Sequence, residues 1–198
     1  MKIKICGLSR PADIEAVNRY QPDYAGFILN FPKSFRNITP EQAKQLRLKL
    51  SDNIPAVGVT VNHPFESVAQ WLKHGIIDIA QLHGQEDETY IHTLQVMTGK
   101  PVWKAFQIRC AADLKAAKNS RADLVLLDNG YGTGEAFDWT LVRDIGRPFI
   151  LAGGLRLDNL SEAANMQPYA MDLSSGAETN RVKDPKKIRM LIETIRSL

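Results

Sequence analysis

The feature that most constrains the fold is an alternation carried from one end of the chain to the other. Short apolar or β-branched runs lie at residues 3–6, 24–29, 56–61, 76–82, 101–108, 123–127, 149–152 and 170–173. Segments with helical apolar spacing follow them at 11–19, 40–50, 64–73, 87–97, 111–118, 139–144, 158–165 and 185–195. Successive units are roughly 20 to 30 residues apart, the size of a βα unit. Strands that alternate with helices imply a parallel sheet, because parallel neighbours need a crossover. Eight units make a (β/α)₈ TIM barrel the natural closure. The competing architecture is an open doubly wound sheet, yet Gly7-Leu8-Ser9-Arg10 after the first strand lacks the G-x-G-x-x-G turn of that fold.

Local signals agree. Ser9 and Thr39 precede Pro11 and Pro40, placing a proline near two first helical turns. Asp138 and Asp158 are expected to cap the sixth and seventh helices. The last helix, opening at Asp184-Pro185, carries Ile188, Leu191, Ile192 and Ile195 at the spacing of a buried stripe. With 198 residues, 44% of them hydrophobic, the expectation is a single barrel domain over residues 1–198 that needs no disulfide or metal staple.

Charge excludes several function classes. A net charge of +3 from scattered Lys and Arg does not suggest nucleic acid. No apolar run approaches the ~18 residues of a membrane span, and no signal peptide is evident. Cys6 and Cys110 do not form a disulfide framework, so a cytoplasmic protein with reduced thiols is expected. No His, Cys and carboxylate spacing suggests a metal site. Assembly is expected to be monomeric or homodimeric.

In a βα barrel the chemistry sits at the C-terminal ends of the strands. The first strand ends in Cys6-Gly7, where Cys6 is either a small core hydrophobe or a base. A thiol ionises only slightly at neutral pH without a cationic neighbour. Lys4, two residues earlier on the same face, is the candidate for that partner. Strand six ends in Asp128, either a turn residue or a general acid. Gly153 and Gly154 follow strand seven, and Ser174, Ser175 and Gly176 follow strand eight. Loops seven and eight are where barrels recurrently bind phosphate, and Gly132 and Gly134 in the loop after Asp128 can join them. Arg36, after strand two, suits a carboxylate. His83, after strand four, is read as a lining or supporting group.

Taken together these stretches have a family likeness. Lys4-Ile5-Cys6-Gly7, Ser34-Phe35-Arg36, Gln81-Leu82-His83-Gly84, Leu127-Asp128 with Gly132-Thr133-Gly134, Ala152-Gly153-Gly154-Leu155 and Asp172-Leu173-Ser174-Ser175-Gly176 occur in order over nearly the whole chain. In this the chain resembles the phosphoribosylanthranilate isomerases of tryptophan biosynthesis. The resemblance implies a (β/α)₈ barrel and a cofactor-free Amadori rearrangement of a phosphoribosyl substrate. It implies Cys6 as general base, Asp128 as general acid and Arg36 on the anthranilate carboxylate. It also implies phosphate held by the loops containing Gly132, Gly134, Gly153, Gly154 and Ser174 to Gly176. Asn180-Arg181-Val182 stand where the family often turns through Pro-Gly, so the last loop is expected to differ in shape.

Overall fold

The computed structural model describes residues 1–128 and 139–198. Its centre is a closed parallel barrel of eight strands: β1 (Lys2–Cys6), β2 (Tyr24–Leu29), β3 (Ala56–Thr60), β4 (Ile79–Leu82), β5 (Val102–Gln107), β6 (Leu124–Asp128), β7 (Phe149–Leu151) and β8 (Ala170–Leu173). Each strand pairs with the next, and β8 returns to β1 through Lys2↔Ala170 to Ile5↔Leu173, which closes the ring. The expected barrel is therefore the observed one, and the open sheet is excluded.

Helices α1 (Pro11–Tyr20), α2 (Pro40–Arg47), α3 (Phe65–Lys73), α4 (Glu88–Thr98), α5 (Ala111–Asn119), α6 (Leu160–Ala164) and α7 (Pro185–Ser197) surround it. The stripe Ile188, Leu191, Ile192 and Ile195 of α7 is buried as its spacing predicted. Thr39 caps α2 by accepting from the Gln42 N–H, while the Gln42 side chain accepts from the Thr39 N–H. Among the described residues no helix is long and apolar enough to cross a membrane.

Three details differ from the expectation. The sixth connection carries a 3₁₀ turn, Trp139–Val142, in place of a helix over 139–144. The strand predicted from residue 76 begins at Ile79, because Gly75 takes a left-handed φ of 66° and Ile77 packs beneath β3. Asp158 does not cap α6. Asn159 stands at that position, accepting from Arg156 N and donating to Gly154 O, so its amide supports the loop after β7. The predicted cap Asp138 lies outside the described residues.

Side chains alternate between two cores. One face of each strand meets the helices in the main apolar layer. The other face fills the barrel, where Tyr24, Val57, Ile79, Trp103, Leu126 and Ile150 pack together. One step further along the strands the inward residues become Cys6, Ile28, Val59, Gln81, Asp128 and Asp172. The barrel is thus closed below by aromatic and aliphatic packing, and its upper layer is polar.

Candidate active site

That upper layer is the floor of a cavity whose rim adds Arg36, His83, Gly153, Gly154, Leu155, Ser174 and Ser175. The cavity brings together most of the residues singled out from the sequence.

Lys4 and Cys6 both point inward from β1, as the two-residue period requires. Lys4 is fully buried, and its Nζ donates to both carboxylate oxygens of Asp172 at 2.9 Å. Cys6 is its neighbour on the same face of β1, close enough to interact with it electrostatically. Burial alone would lower the Lys4 pKa, but Asp172 and Cys6 beside it hold the ammonium above its ordinary value. For Cys6, burial pushes the thiol up, Lys4 pulls it down, and Asp172 opposes that pull; the net direction is upward. The expected cationic partner is present, but Asp172 neutralises much of its charge. Cys6 as a whole is nearly buried, at 6% exposure.

Asp128 ends β6. His83 Nε2 approaches its Oδ2 at 3.5 Å, and Gln81 Nε2 lies 3.4 Å from His83 Nδ1. Asp128 Oδ1 and Gln81 Oε1 are buried without a hydrogen-bond partner among the described residues. Buried acceptors left open at a cavity floor suit the hydroxyl groups of a ligand.

The loop that carries His83 is pinned from beneath. Glu86 accepts from Asn62 N at 2.7 Å and from Gly84 N at 2.8 Å. Lys104, on the helix-facing side of β5, donates to Gly84 O at 2.7 Å and to Glu86 at 3.3 Å. Sequence reasoning passed over this pair. The available signal was a lysine flanked by apolar residues in mid-strand, which must find a buried partner or reach solvent.

The loops after β7 and β8 interlock. Gly153 and Gly154 both take left-handed φ values, 84° and 66°. A Cβ at Gly176 would collide with Leu155 O, so the bare backbone there lets the two loops pack against each other. Among the described residues, no backbone acceptor takes the N–H groups of Gly154, Ser175 or Gly176. N–H groups left open to a ligand are what an anion-binding concavity needs. Ser174 Oγ donates to Cys6 O at 3.3 Å, tying this loop to β1. Gly132 and Gly134 lie outside the described residues.

Arg36 enters from the loop after β2. Its Nε and Nη2 donate to the Glu178 oxygens at 2.6 and 2.8 Å, and its guanidinium carbon lies 4.1 Å from the centre of the Phe35 ring. Glu178 was missed in the sequence because its partner is 142 residues away. Among the described residues no group of three or more His, Cys, Asp or Glu is arranged to hold a metal ion.

A family model described as N-(5'-phosphoribosyl)anthranilate (PRA) isomerase matches residues 3–194. The chain belongs to this family. It is 42% identical over 202 residues to the N-(5'-phosphoribosyl)anthranilate isomerase of Clostridium kluyveri, covering 100% of this chain and 99% of that protein. It is 43% identical over 203 residues to that of Endomicrobium trichonymphae, with the same coverage. The phosphoribosylanthranilate isomerase structure from Thermotoga maritima superposes with a TM-score of 0.90 at 32% identity, over 100% of both chains. A second isomerase structure, in complex with reduced 1-(o-carboxyphenylamino)-1-deoxyribulose 5-phosphate, gives a TM-score of 0.88 at 31% identity, also over 100% of both chains. The family likeness read from the motifs is therefore correct, as is the barrel it implied.

Proposed function

We propose that the chain isomerises N-(5'-phosphoribosyl)anthranilate to 1-(2-carboxyphenylamino)-1-deoxyribulose 5-phosphate in tryptophan biosynthesis. The observation that carries this reading is the meeting of Cys6 and Asp128 in one cavity, from β1 and β6 on opposite sides of the ring, with Arg36 and the two glycine loops at its rim.

The reaction needs one proton delivered and another removed on different sides of the sugar. The Asp128 carboxyl protonates the furanose ring oxygen. The C1'–O bond breaks and the anilino nitrogen's lone pair forms the C1'=N iminium. Cys6, as thiolate, then takes the proton from C2'. The C2'–H electron pair forms C1'=C2' while the iminium π pair returns to nitrogen, giving an enolamine. Its C2' hydroxyl loses a proton as C1' gains one, leaving the ketone. The iminium is the electron sink, so no cofactor is required. Proton transfer by a positioned group contributes about 10²–10⁴-fold at each end.

Arg36 holds the anthranilate carboxylate. His83 lies beside Asp128 and meets the substrate at the same wall. Gly153, Gly154, Ser174, Ser175 and Gly176, with Gly132 and Gly134, form the phosphate site. The N–H groups of Gly154, Ser175 and Gly176, which no backbone acceptor among the described residues takes, support that assignment. The enzyme's partner is thus a small phosphoribosyl molecule rather than nucleic acid, and its assembly is a monomer or homodimer; one Thermotoga maritima relative is described as dimeric. Two unpaired cysteines support a reducing, cytoplasmic setting.

The test is turnover. Purified protein mixed with phosphoribosylanthranilate should abolish the substrate's fluorescence as product forms. Unchanged fluorescence at high enzyme concentration would overturn the reading.

A further inference from the structure

Arg36 is held on three sides before any ligand arrives. A Cβ at Gly7, where φ is 79°, would collide with Arg36 Cδ, so the bare backbone there makes room for the arginine stem. Phe35 covers one face of the guanidinium. Glu178 occupies the Nε–Nη2 edge with two charge-assisted bonds. A guanidinium has five N–H donors in a fixed plane. With two taken, two of the remaining three lie along the Nη1–Nη2 end, a second edge for a carboxylate, and Arg36 lines the cavity.

Glu178 is itself fixed. Lys183 Nζ donates to Glu178 Oε1 at 2.6 Å and to Ser174 O at 2.9 Å. Glu178 and Lys183 are directly paired residues of a two-stranded ladder, Glu178–Thr179 against Val182–Lys183, that leaves the barrel after β8. Both are buried, at 8% and 5% exposure. Burial raises the Glu178 carboxyl, but Arg36 and Lys183 more than offset it and keep the group ionised. Arg36 and Lys183 against Glu178 leave this cluster with one unbalanced positive charge, the amount a single carboxylate neutralises.

We propose that Glu178, anchored by Lys183, is a positioning residue that sets specificity for an arylamine bearing an ortho carboxylate. It engages the side edge of Arg36 and leaves the end edge as the carboxylate receptor. This rests on the assignment of Arg36 to the substrate carboxylate. The ladder holds the Glu178–Lys183 pair behind Arg36, and its turn passes through Asn180 and Arg181, both at left-handed φ values of 51° and 64°.

The experiment compares two ligands by calorimetry: the reduced product N-(2-carboxyphenyl)-1-amino-1-deoxyalditol 5-phosphate, and its N-phenyl counterpart without the carboxylate. Wild-type enzyme should prefer the carboxylated ligand by about 100-fold or more, because the analogue leaves the Arg36 end-edge donors unpaired. Glu178→Gln should reduce that preference to about tenfold or less and change affinity for the N-phenyl ligand by no more than about threefold, the small effect expected where the lost contact is absent. Lys183→Met, which keeps Glu178 but removes its anchor, should lower the preference by at least about threefold. A wild-type preference near one would overturn the Arg36 assignment and this inference with it. A strong wild-type preference that survives in both variants, or affinities that fall equally for both ligands, would overturn this inference alone.

Discussion

Cys6 and Gly26 are paired residues of β1 and β2, and a Cβ on Gly26 would stand 2.9 Å from the Cys6 sulfur and 3.1 Å from Lys4 Cε. The missing side chain on one strand is the space that the thiol and the lysine stem occupy on the next. Gly26→Ala should therefore fold, at a cost of about 1–3 kcal/mol for overpacking. It should lose at least about tenfold in the chemical step, since displacement of a reacting group by ångströms is costly. A variant with wild-type stability and kcat would show that the thiol's placement does not depend on this contact.

With Cys6 as the proposed base, its ionisation should set the pH profile. Burial and Asp172 push the thiol up, whereas Lys4 and Lys183 pull it down, and the balance is upward. Activity that needs the thiolate should rise with pH, with its midpoint above the ordinary value of about 8.5. Lys4→Met removes the strongest downward influence, so its profile and its thiol titration should shift to still higher pH. It should also destabilise the fold, because Asp172 is left buried without its partner. A midpoint that stays put in Lys4→Met would remove Lys4 from the activation of the base.

Asp128→Asn keeps shape and hydrogen-bonding capacity but replaces the acid. Single-turnover rates should fall by about 10²–10⁴-fold while affinity for the reduced product changes only slightly. Dialysis against a chelator should leave wild-type kcat unchanged, since the substrate's own iminium takes the electrons. Chelator-sensitive turnover, or an Asp128→Asn variant with near-normal rate, would contradict the mechanism.

The Glu178 carboxyl has a folded pKa below its ordinary value. A depressed carboxyl contributes stability that is fully present above the unfolded value, near pH 4.3, and is lost as pH falls through the folded value. Wild-type Tm should therefore drop more steeply below about pH 4 than that of Glu178→Gln. Parallel curves would mean that the Arg36–Glu178–Lys183 cluster adds no net stability.

The barrel could be read from the chain because each βα unit declares itself locally, through a β-branched run, a turn and an apolar stripe. The strand-end residues were legible for the same reason: once the strands are placed, Cys6, Asp128 and the two glycine loops must gather at one mouth. Charged pairings were not legible. Lys4 meets Asp172 across 168 positions and Arg36 meets Glu178 across 142, and sequence order carries no mark of such contacts. The sixth helix failed for another reason. Its apolar spacing over 139–144 holds for little more than one turn, too short to favour an α-helix over a 3₁₀ turn.

The central claim is that one buried thiol removes the C2' proton. The most direct measurement is the single-turnover rate of Cys6→Ser on phosphoribosylanthranilate, with its affinity for the reduced product taken in parallel. A serine hydroxyl fits the space beside Gly26 but is a far weaker proton acceptor at neutral pH. The account predicts a rate lower by about 10²–10⁴-fold with affinity nearly unchanged. A rate within a few-fold of wild type would mean that another group is the base.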